Sequence, residues 1–133
     1  MRTLIVEDDF TCRLLLQELL KSHGPVHIAV NGLEALDAVK AALEANEPYD
    51  LICLDIMMPE MDGQQALRGI RDIEAEHGRR GLDGAKVVMT TALGDGEHVM
   101  TSFREQCDGY LVKPILKPKL MALLRNLGLP EAS

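Results

Sequence analysis

The stretch that decides the fold is Leu51-Ile52-Cys53-Leu54-Asp55, in which four apolar residues are followed by one carboxylate. A continuous apolar run of this length is typical of a parallel strand that is buried on both faces. Four further runs of strand length occupy residues 3–6, 26–30, 85–89 and 110–112. Helical periods separate the five runs, and strands that alternate with helices predict a parallel sheet with helices on both faces.

Polar residues stand where the first four helices are expected to begin. These expected N-terminal caps are Asp9, Asn31, Asp62 and Asp95. The pairs Asn31 with Glu34 and Asp62 with Gln65 have the spacing of a capping box. The third helix is expected to fray after Ile73 into a polar stretch, residues 74–84, which we interpret as a surface insertion.

The length of 133 residues suits one domain. We therefore expect an α/β fold, a five-stranded doubly wound parallel sheet of the flavodoxin-like (βα)5 class. It would form a single domain over residues 1–133 with no output domain. The strand order 2-1-3-4-5 is taken from the common sheets of this class rather than derived from the sequence.

Composition excludes several other classes of protein. The net charge of -7 disfavours non-specific binding to nucleic acids and docking on anionic membranes, since both require Lys and Arg. Cys12, Cys53 and Cys107 form no C-x-x-C pair, and the four histidines have no ligand spacing, which disfavours zinc and disulfides. No apolar run approaches the ~20 residues of a membrane span, and no signal peptide is recognisable. We expect a cytoplasmic protein with reduced thiols.

Residues whose side chains can react or bind a metal ion stand at the carboxyl ends of four strands. In chain order they are Glu7, Asp8, Asp55, Thr91 and Lys113. Ligands bind at this edge of an open parallel sheet, near the point where the strand order reverses. Because strands one and three are neighbours at that point, three carboxylates would meet there. They remain ionised together only beside a cation, and Mg²⁺ suits so sparse a set of oxygen ligands better than Ca²⁺.

Each of these residues also has an ordinary structural explanation. Acids after a strand often cap the next helix, which fits Asp9 best and also fits Glu7-Asp8 taken alone. Lys113 could instead form a structural salt bridge, and Thr91 is a common residue type at a strand end. In combination, however, a carboxylate nucleophile, a metal site, a lysine and a hydroxyl describe an aspartyl-phosphate site.

The order and spacing of these residues resemble the receiver domains of two-component response regulators, the CheY-like family, from Leu4 to Leu127. The matching signatures are Ile5-Val6-Glu7-Asp8, Asp55-Ile56-Met57-Met58-Pro59, Met61-Asp62-Gly63, Thr91-Ala92 and Lys113-Pro114. The resemblance implies phosphoryl transfer to Asp55 from a sensor histidine kinase or a histidine phosphotransfer protein. It also implies a signalling switch that promotes its own phosphorylation and slow dephosphorylation, rather than an enzyme in the ordinary sense.

The same resemblance assigns a role to each site residue. Asp8 and Asp55 would ligate Mg²⁺ directly together with the backbone carbonyl of Met57, and Glu7 would act through water. Glu7 stands where many relatives carry Asp.

Other residues would bind the phosphoryl group or respond to it. Thr91 and Lys113 would bind its oxygens, and Tyr110 would turn inward on activation. The Lys113-Pro114 bond is expected to be cis, which an X-Pro bond permits. A downstream protein target would bind the face formed by the fourth helix, the fifth strand and the fifth helix.

Two positions depart from the chemotaxis pattern. Met57 and Leu93, two residues after Asp55 and Thr91, are apolar where relatives often carry polar groups that orient a hydrolytic water. This departure predicts a long-lived phosphate on Asp55 and puts a chemotaxis-type phosphatase partner in doubt.

Two other functions remain open from the sequence. One is a degenerate receiver that binds proteins without being phosphorylated, which the complete set of acids, threonine and lysine disfavours. The other is a flavodoxin-like nucleotide or flavin carrier, which Glu7-Asp8-Asp9 disfavours because these acids would repel a phosphate after strand one.

Overall fold

One parallel sheet organises the part of the chain that the computed structural model describes, which is residues 1–58, 60–79, 83–92 and 107–130. Its strands are β1 (Thr3–Val6), β2 (Val26–Ala29), β3 (Leu51–Asp55), β4 (Lys86–Thr91) and β5 (Gly109–Val112). They lie in the order β2-β1-β3-β4-β5, and every neighbouring pair is parallel. The predicted flavodoxin-like fold and strand order are therefore confirmed.

Four α-helices are described. They are α1 (Phe10–Leu20), α2 (Gly32–Glu44), α3 (Gly63–Glu76) and α4 (Lys117–Asn126), with a short 3-10 turn at Lys21–His23 after α1. The helix predicted to begin at Asp95 and the position Leu93 lie outside the described residues. No helix of the described segments is long and apolar enough to cross a membrane.

The helix starts follow the predicted caps. The Asp9 carboxylate accepts the Cys12 N–H at 2.9 Å, and the Asn31 side chain accepts the Glu34 N–H at 2.8 Å. At α3 the capping box is complete, because Asp62 and Gln65 each accept the other's backbone N–H. At α2 it is not complete, since Glu34 accepts the N–H of Val30 instead of that of Asn31.

The core has two layers because successive residues of β3 point to opposite faces of the sheet. Ile52 and Leu54 pack with residues of α2 and α3, whereas Leu51 and Cys53 pack with residues of α1 and α4. All five residues of β3 are buried. This double coverage explains why its apolar run is continuous rather than alternating.

The expectation that α3 ends after Ile73 in a solvent-exposed insertion is wrong at its first residues. The helix continues to Glu76, and Glu74 is buried, with 4% of its surface exposed. Its carboxylate accepts hydrogen bonds from the Arg71 guanidinium and from the Ala85 N–H, each at 2.7 Å. A polar run therefore contributes a buried contact between α3 and the start of β4.

The register of the central strands positions the predicted site. Val6 of β1 lies opposite Leu54 of β3, so Glu7 and Asp55 are the next residues along the two neighbouring strands. The strand order reverses between β1 and β3, and the connections leave there in opposite directions. The crevice at such a reversal is where open α/β sheets bind ligands.

Candidate acidic site at the sheet edge

Asp55 ends β3 and is 3% exposed. Its Oδ1 accepts the Met57 N–H at 3.2 Å, which fixes the start of the β3–α3 loop. The first residue of α3 also lies close, because a Cβ added at Gly63 would stand 2.7 Å from the Asp55 carbonyl oxygen. Only glycine fits this approach, so the loop returns directly against the backbone at the end of β3.

Glu7 is completely buried at the end of β1. Its Oε2 accepts the Asp9 N–H at 3.2 Å, and its Oε1 lies 2.8 Å from the Lys113 ammonium. The same ammonium lies 3.4 Å from Oδ2 of Asp55. Lys113 therefore bridges two buried carboxylates across the end of the sheet.

Asp8 adds a third carboxylate from the solvent side. One oxygen each from Glu7, Asp8 and Asp55 can be chosen so that all three lie within 4.8 Å of one another, and Asp8 is exposed. The structure thus brings together the three carboxylates that the sequence predicted to meet. Carboxylate oxygens at this spacing, open to water on one side, fit a hard divalent cation such as Mg²⁺.

The protonation equilibria reflect this crowding. Burial, together with the hydrogen bond and negative charge of Glu7, raises the pKa of Asp55 from 3.8 to about 7, against the opposing effects of Lys113 and the Met57 N–H. Burial also raises the pKa of Glu7, but hydrogen bonds with Asp55, Lys113 and Cys12 outweigh it and leave that pKa below its usual 4.5. Burial lowers the pKa of Lys113, yet the two carboxylates raise it above 10.5 overall. Without a metal ion, the buried part of the site holds the Glu7 carboxylate, the Lys113 ammonium and an aspartate that takes up a proton near neutrality.

The other predicted residues lie on β4, on β5 and in the loops that follow β3 and β5. Thr91 ends β4 and is buried, with its hydroxyl donating to the Ala92 carbonyl at 3.4 Å. Tyr110 lies on β5 with 43% of its surface exposed, and Met57 is 58% exposed beside Asp55. The Lys113-Pro114 bond is cis, as predicted.

Comparison with known proteins places this arrangement in a family. The family model described as the response regulator receiver domain matches residues 3–125. The chain belongs to this family. This receiver domain is 33% identical over 127 residues to the chemotaxis protein CheY of Halobacterium salinarum, covering 95% of each chain.

Two further similarities involve the receiver domains of larger proteins. The chain is 36% identical over 141 residues to the sensor histidine kinase GacS of Pseudomonas protegens, of which it spans only 14%. It superposes with a TM-score of 0.79 and 28% identity on the receiver domain of the histidine kinase CKI1 of Arabidopsis thaliana, solved with Mg²⁺ and BeF3⁻. That comparison covers 96% of this chain and 89% of the other.

Two residues of this receiver domain lie at the site without having been singled out by sequence reasoning. The Arg13 guanidinium donates to the Glu7 backbone carbonyl at 3.1 Å. Cys12, one position earlier in α1, lines a cavity together with Lys113 and Pro114 beside the site. The available signal was their place in the first turn of α1, which the Asp9 cap turns back toward the end of β1.

Proposed function

We propose that this receiver domain is a phospho-acceptor of a two-component system and that Asp55 carries the phosphoryl group. An Asp55 carboxylate oxygen would attack the phosphorus of a phosphohistidine on a sensor histidine kinase or a histidine phosphotransfer protein. The new P–O bond forms as the P–N bond breaks, and the histidine nitrogen leaves as the imidazole of the donor. The supporting observation is the Lys113 ammonium held at 2.8 Å and 3.4 Å from two buried carboxylates at the carboxyl edge of the sheet.

The proposed reaction requires Mg²⁺, and the chain provides suitable ligands for it. Asp8 and Asp55 would bind the ion directly together with the Met57 backbone carbonyl, and Glu7 would bind it through water. When bound, the ion neutralises charge on the acceptor and on the phosphoryl oxygens, which is its usual part in phosphoryl transfer. It would also favour ionised Asp55, whose pKa is about 7 without it.

The switch would follow from a change of partner by Lys113. Once Asp55 is phosphorylated, the Lys113 ammonium would pair with a phosphoryl oxygen, and the Thr91 hydroxyl would donate to another. Tyr110, exposed on β5 in this structure, would then turn inward and change the surface of β5 and α4. A downstream protein target that binds this changed surface better would shift the equilibrium toward the active state. We place these events in the cytoplasm, with no direct role for nucleic acid or membrane.

Incubation with acetyl phosphate and MgCl₂ tests the proposal. Mass spectrometry of the intact protein should show the gain of one phosphoryl group, lost in the Asp55→Asn variant and on chelation of Mg²⁺. Asp37→Asn, at an exposed position of α2, is the matched control and should be phosphorylated like the wild type. If the wild-type protein gained no phosphoryl group, the degenerate receiver that acts by protein binding alone would be the better description.

The phosphate on Asp55 should be long-lived, because Met57 offers no polar group to orient a hydrolytic water beside it. The double substitution Met57→Asn with Leu93→Glu should speed decay of the phosphorylated protein by about tenfold, which is below the ~100-fold lower end for a positioned acid or base because these side chains would only orient the water. Decay is followed by mass spectrometry after removal of acetyl phosphate. The control is Met57→Leu, which keeps the position apolar and should leave the rate unchanged. Equal rates of dephosphorylation in the double variant and the wild type would contradict this prediction.

A further inference from the structure

The backbone carbonyl of Glu7 lies just beyond the last residue of β1 that pairs with its neighbours. The Glu7 N–H still donates to the Ala29 carbonyl of β2 at 3.0 Å, but the pairing of β1 with β2 and β3 ends at Val6. Glu7 is 0% exposed, so its carbonyl is shielded from bulk water. A buried carbonyl outside the sheet ladder requires a donor from elsewhere in the protein.

Arg13 of α1 supplies that donor. Its guanidinium donates to the Glu7 carbonyl at 3.1 Å, and its backbone N–H donates to the Asp9 carbonyl at 2.9 Å. The guanidinium carbon also lies over the Phe10 ring, 5.6 Å from the ring centroid, a distance at which a cation is attracted to an aromatic ring. Phe10 is 66% exposed, and we interpret its ring as a support that keeps the guanidinium aimed at Glu7.

The Glu7 carbonyl is important for the metal site because it belongs to the same peptide group as the Asp8 N–H. A peptide group is planar, so a bond to its carbonyl also fixes the direction in which the chain enters Asp8. Asp8 is exposed, and its side chain has no hydrogen bond or ion pair to any other residue that the structure describes. The position of its carboxylate beside Glu7 and Asp55 therefore depends on the backbone that carries it.

We infer that Arg13 is a positioning residue of the phospho-acceptor site, whose guanidinium holds the Glu7–Asp8 peptide group so that the Asp8 carboxylate faces the Mg²⁺ position. The inference rests on the proposed function, in which Asp8 binds Mg²⁺ directly. Geometry and charge predict opposite effects here. A positive charge near the site repels Mg²⁺, so removing only a charge should tighten Mg²⁺ binding, whereas removing a positioning group should weaken it.

Titration of the full chain with Mg²⁺ by isothermal calorimetry tests the inference. Arg13→Met keeps an apolar stem and a good helix former but removes the donor. It should raise the Kd for Mg²⁺ about tenfold, the lower end of the loss when a group that holds a metal's ligands is removed. Arg13→Lys keeps a cationic donor and should bring the Kd back to within about threefold of the wild-type value. Arg68→Met removes the same charge from an exposed position of α3 and should leave the Kd unchanged.

Phe10→Leu tests the support of the guanidinium without removing the donor. Because Phe10 is 66% exposed, this variant should fold like the wild type. Arg13 becomes less fixed without the ring, so the Kd for Mg²⁺ should rise about twofold, which corresponds to an exposed cation–π contact. In the Arg13→Met background the same substitution should have no further effect on the Kd, since the two residues act through one contact.

A second measurement reads the contact directly and needs no metal. A hydrogen bond to a carbonyl oxygen deshields the carbonyl carbon, so the NMR signal of the Glu7 carbonyl carbon should move upfield in Arg13→Met and return in Arg13→Lys. Urea unfolding of the metal-free variants measures any loss of stability separately. A loss of stability alone would leave this signal, and the Kd of the folded protein, unchanged.

The proposed metal site and the role of Arg13 fail in different ways. If the wild-type protein does not bind Mg²⁺, both are overturned. If the wild type binds Mg²⁺ and Arg13→Met binds it equally well or more tightly, the role of Arg13 alone is overturned. A Glu7 carbonyl signal that ignores Arg13→Met, or an Arg13→Lys variant as weak as Arg13→Met, would overturn it as well. If Arg13→Met does not fold, an unchanged Kd in Phe10→Leu overturns the role of Arg13.

Discussion

Replacing Asp55, the proposed phospho-acceptor, is expected to stabilise the metal-free protein: at pH 8 without Mg²⁺, the free energy of unfolding of Asp55→Asn should exceed that of the wild type by about 2 kcal/mol. Asp55 is 3% exposed and lies beside Glu7, so its ionisation in the folded state is unfavourable. A pKa of about 7 against an ordinary 3.8 corresponds to about 4 kcal/mol for an isolated group. We expect half of this, because Asp55 and Glu7 share their protons and Lys113 compensates part of the charge.

The pH dependence of stability has a definite sign. Between pH 4 and pH 7 folded Asp55 holds a proton that the unfolded chain releases, so the stability contributed by Asp55 is complete below pH 4 and is lost as the pH rises through about 7. Urea unfolding at a series of pH values should therefore show the advantage of Asp55→Asn growing from pH 4 to pH 8. Mg²⁺ should stabilise the wild type and narrow the difference, because it binds the folded state.

Asp37→Asn, at an exposed position of α2, is the matched control and should leave both the stability and its pH dependence unchanged. An Asp55→Asn variant no more stable than the wild type at pH 8 would show that the aspartate ionises in the folded state without the cost inferred from its burial.

The residues of this site could be predicted because a parallel sheet brings the carboxyl ends of its strands together at one edge. Asp55 closes an apolar run, and Glu7 follows another, so their meeting depends only on β1 and β3 being neighbours. Lys113 follows β5, two strands away from β3, yet its long side chain spans β4 to reach Asp55 at 3.4 Å. Spacing along the chain does not determine that reach, which depends on the twist of the sheet and the side-chain conformation.

The sequence did not predict which individual side chains of the helices take part in tertiary contacts. Cys12 resembles any small residue of the first turn of α1, and its place beside Lys113 and Pro114 depends on how α1 packs against the end of the sheet. Glu74 stands in a run of charged residues, where the average expectation is exposure to solvent. Its burial is a tertiary effect, because the chain returns at Ala85 with a backbone N–H that requires an acceptor.

Glu74 gives the second large effect, on stability rather than on chemistry. Glu74→Ala is expected to destabilise the protein by about 3 kcal/mol, the lower end of the cost of breaking a buried ion pair, since the Arg71 side chain is 26% exposed. The substitution leaves the buried Ala85 N–H without its 2.7 Å acceptor. Arg71 keeps the Ala85 carbonyl at 2.9 Å and Asp108 at 3.1 Å, and so loses only part of its interactions.

Two variants separate the contributions of charge and hydrogen bonding. Glu74→Gln keeps an oxygen for the Ala85 N–H and loses the ion pair, so it should cost about 1.5 kcal/mol, the lower end of the worth of a hydrogen bond to a charged group. Glu76→Ala, exposed two residues further along α3, should cost less than about 0.5 kcal/mol and controls for helix propensity. Urea unfolding measures all three. If Glu74→Ala were as stable as Glu76→Ala, the contact between α3 and the start of β4 would contribute nothing to the stability of the fold.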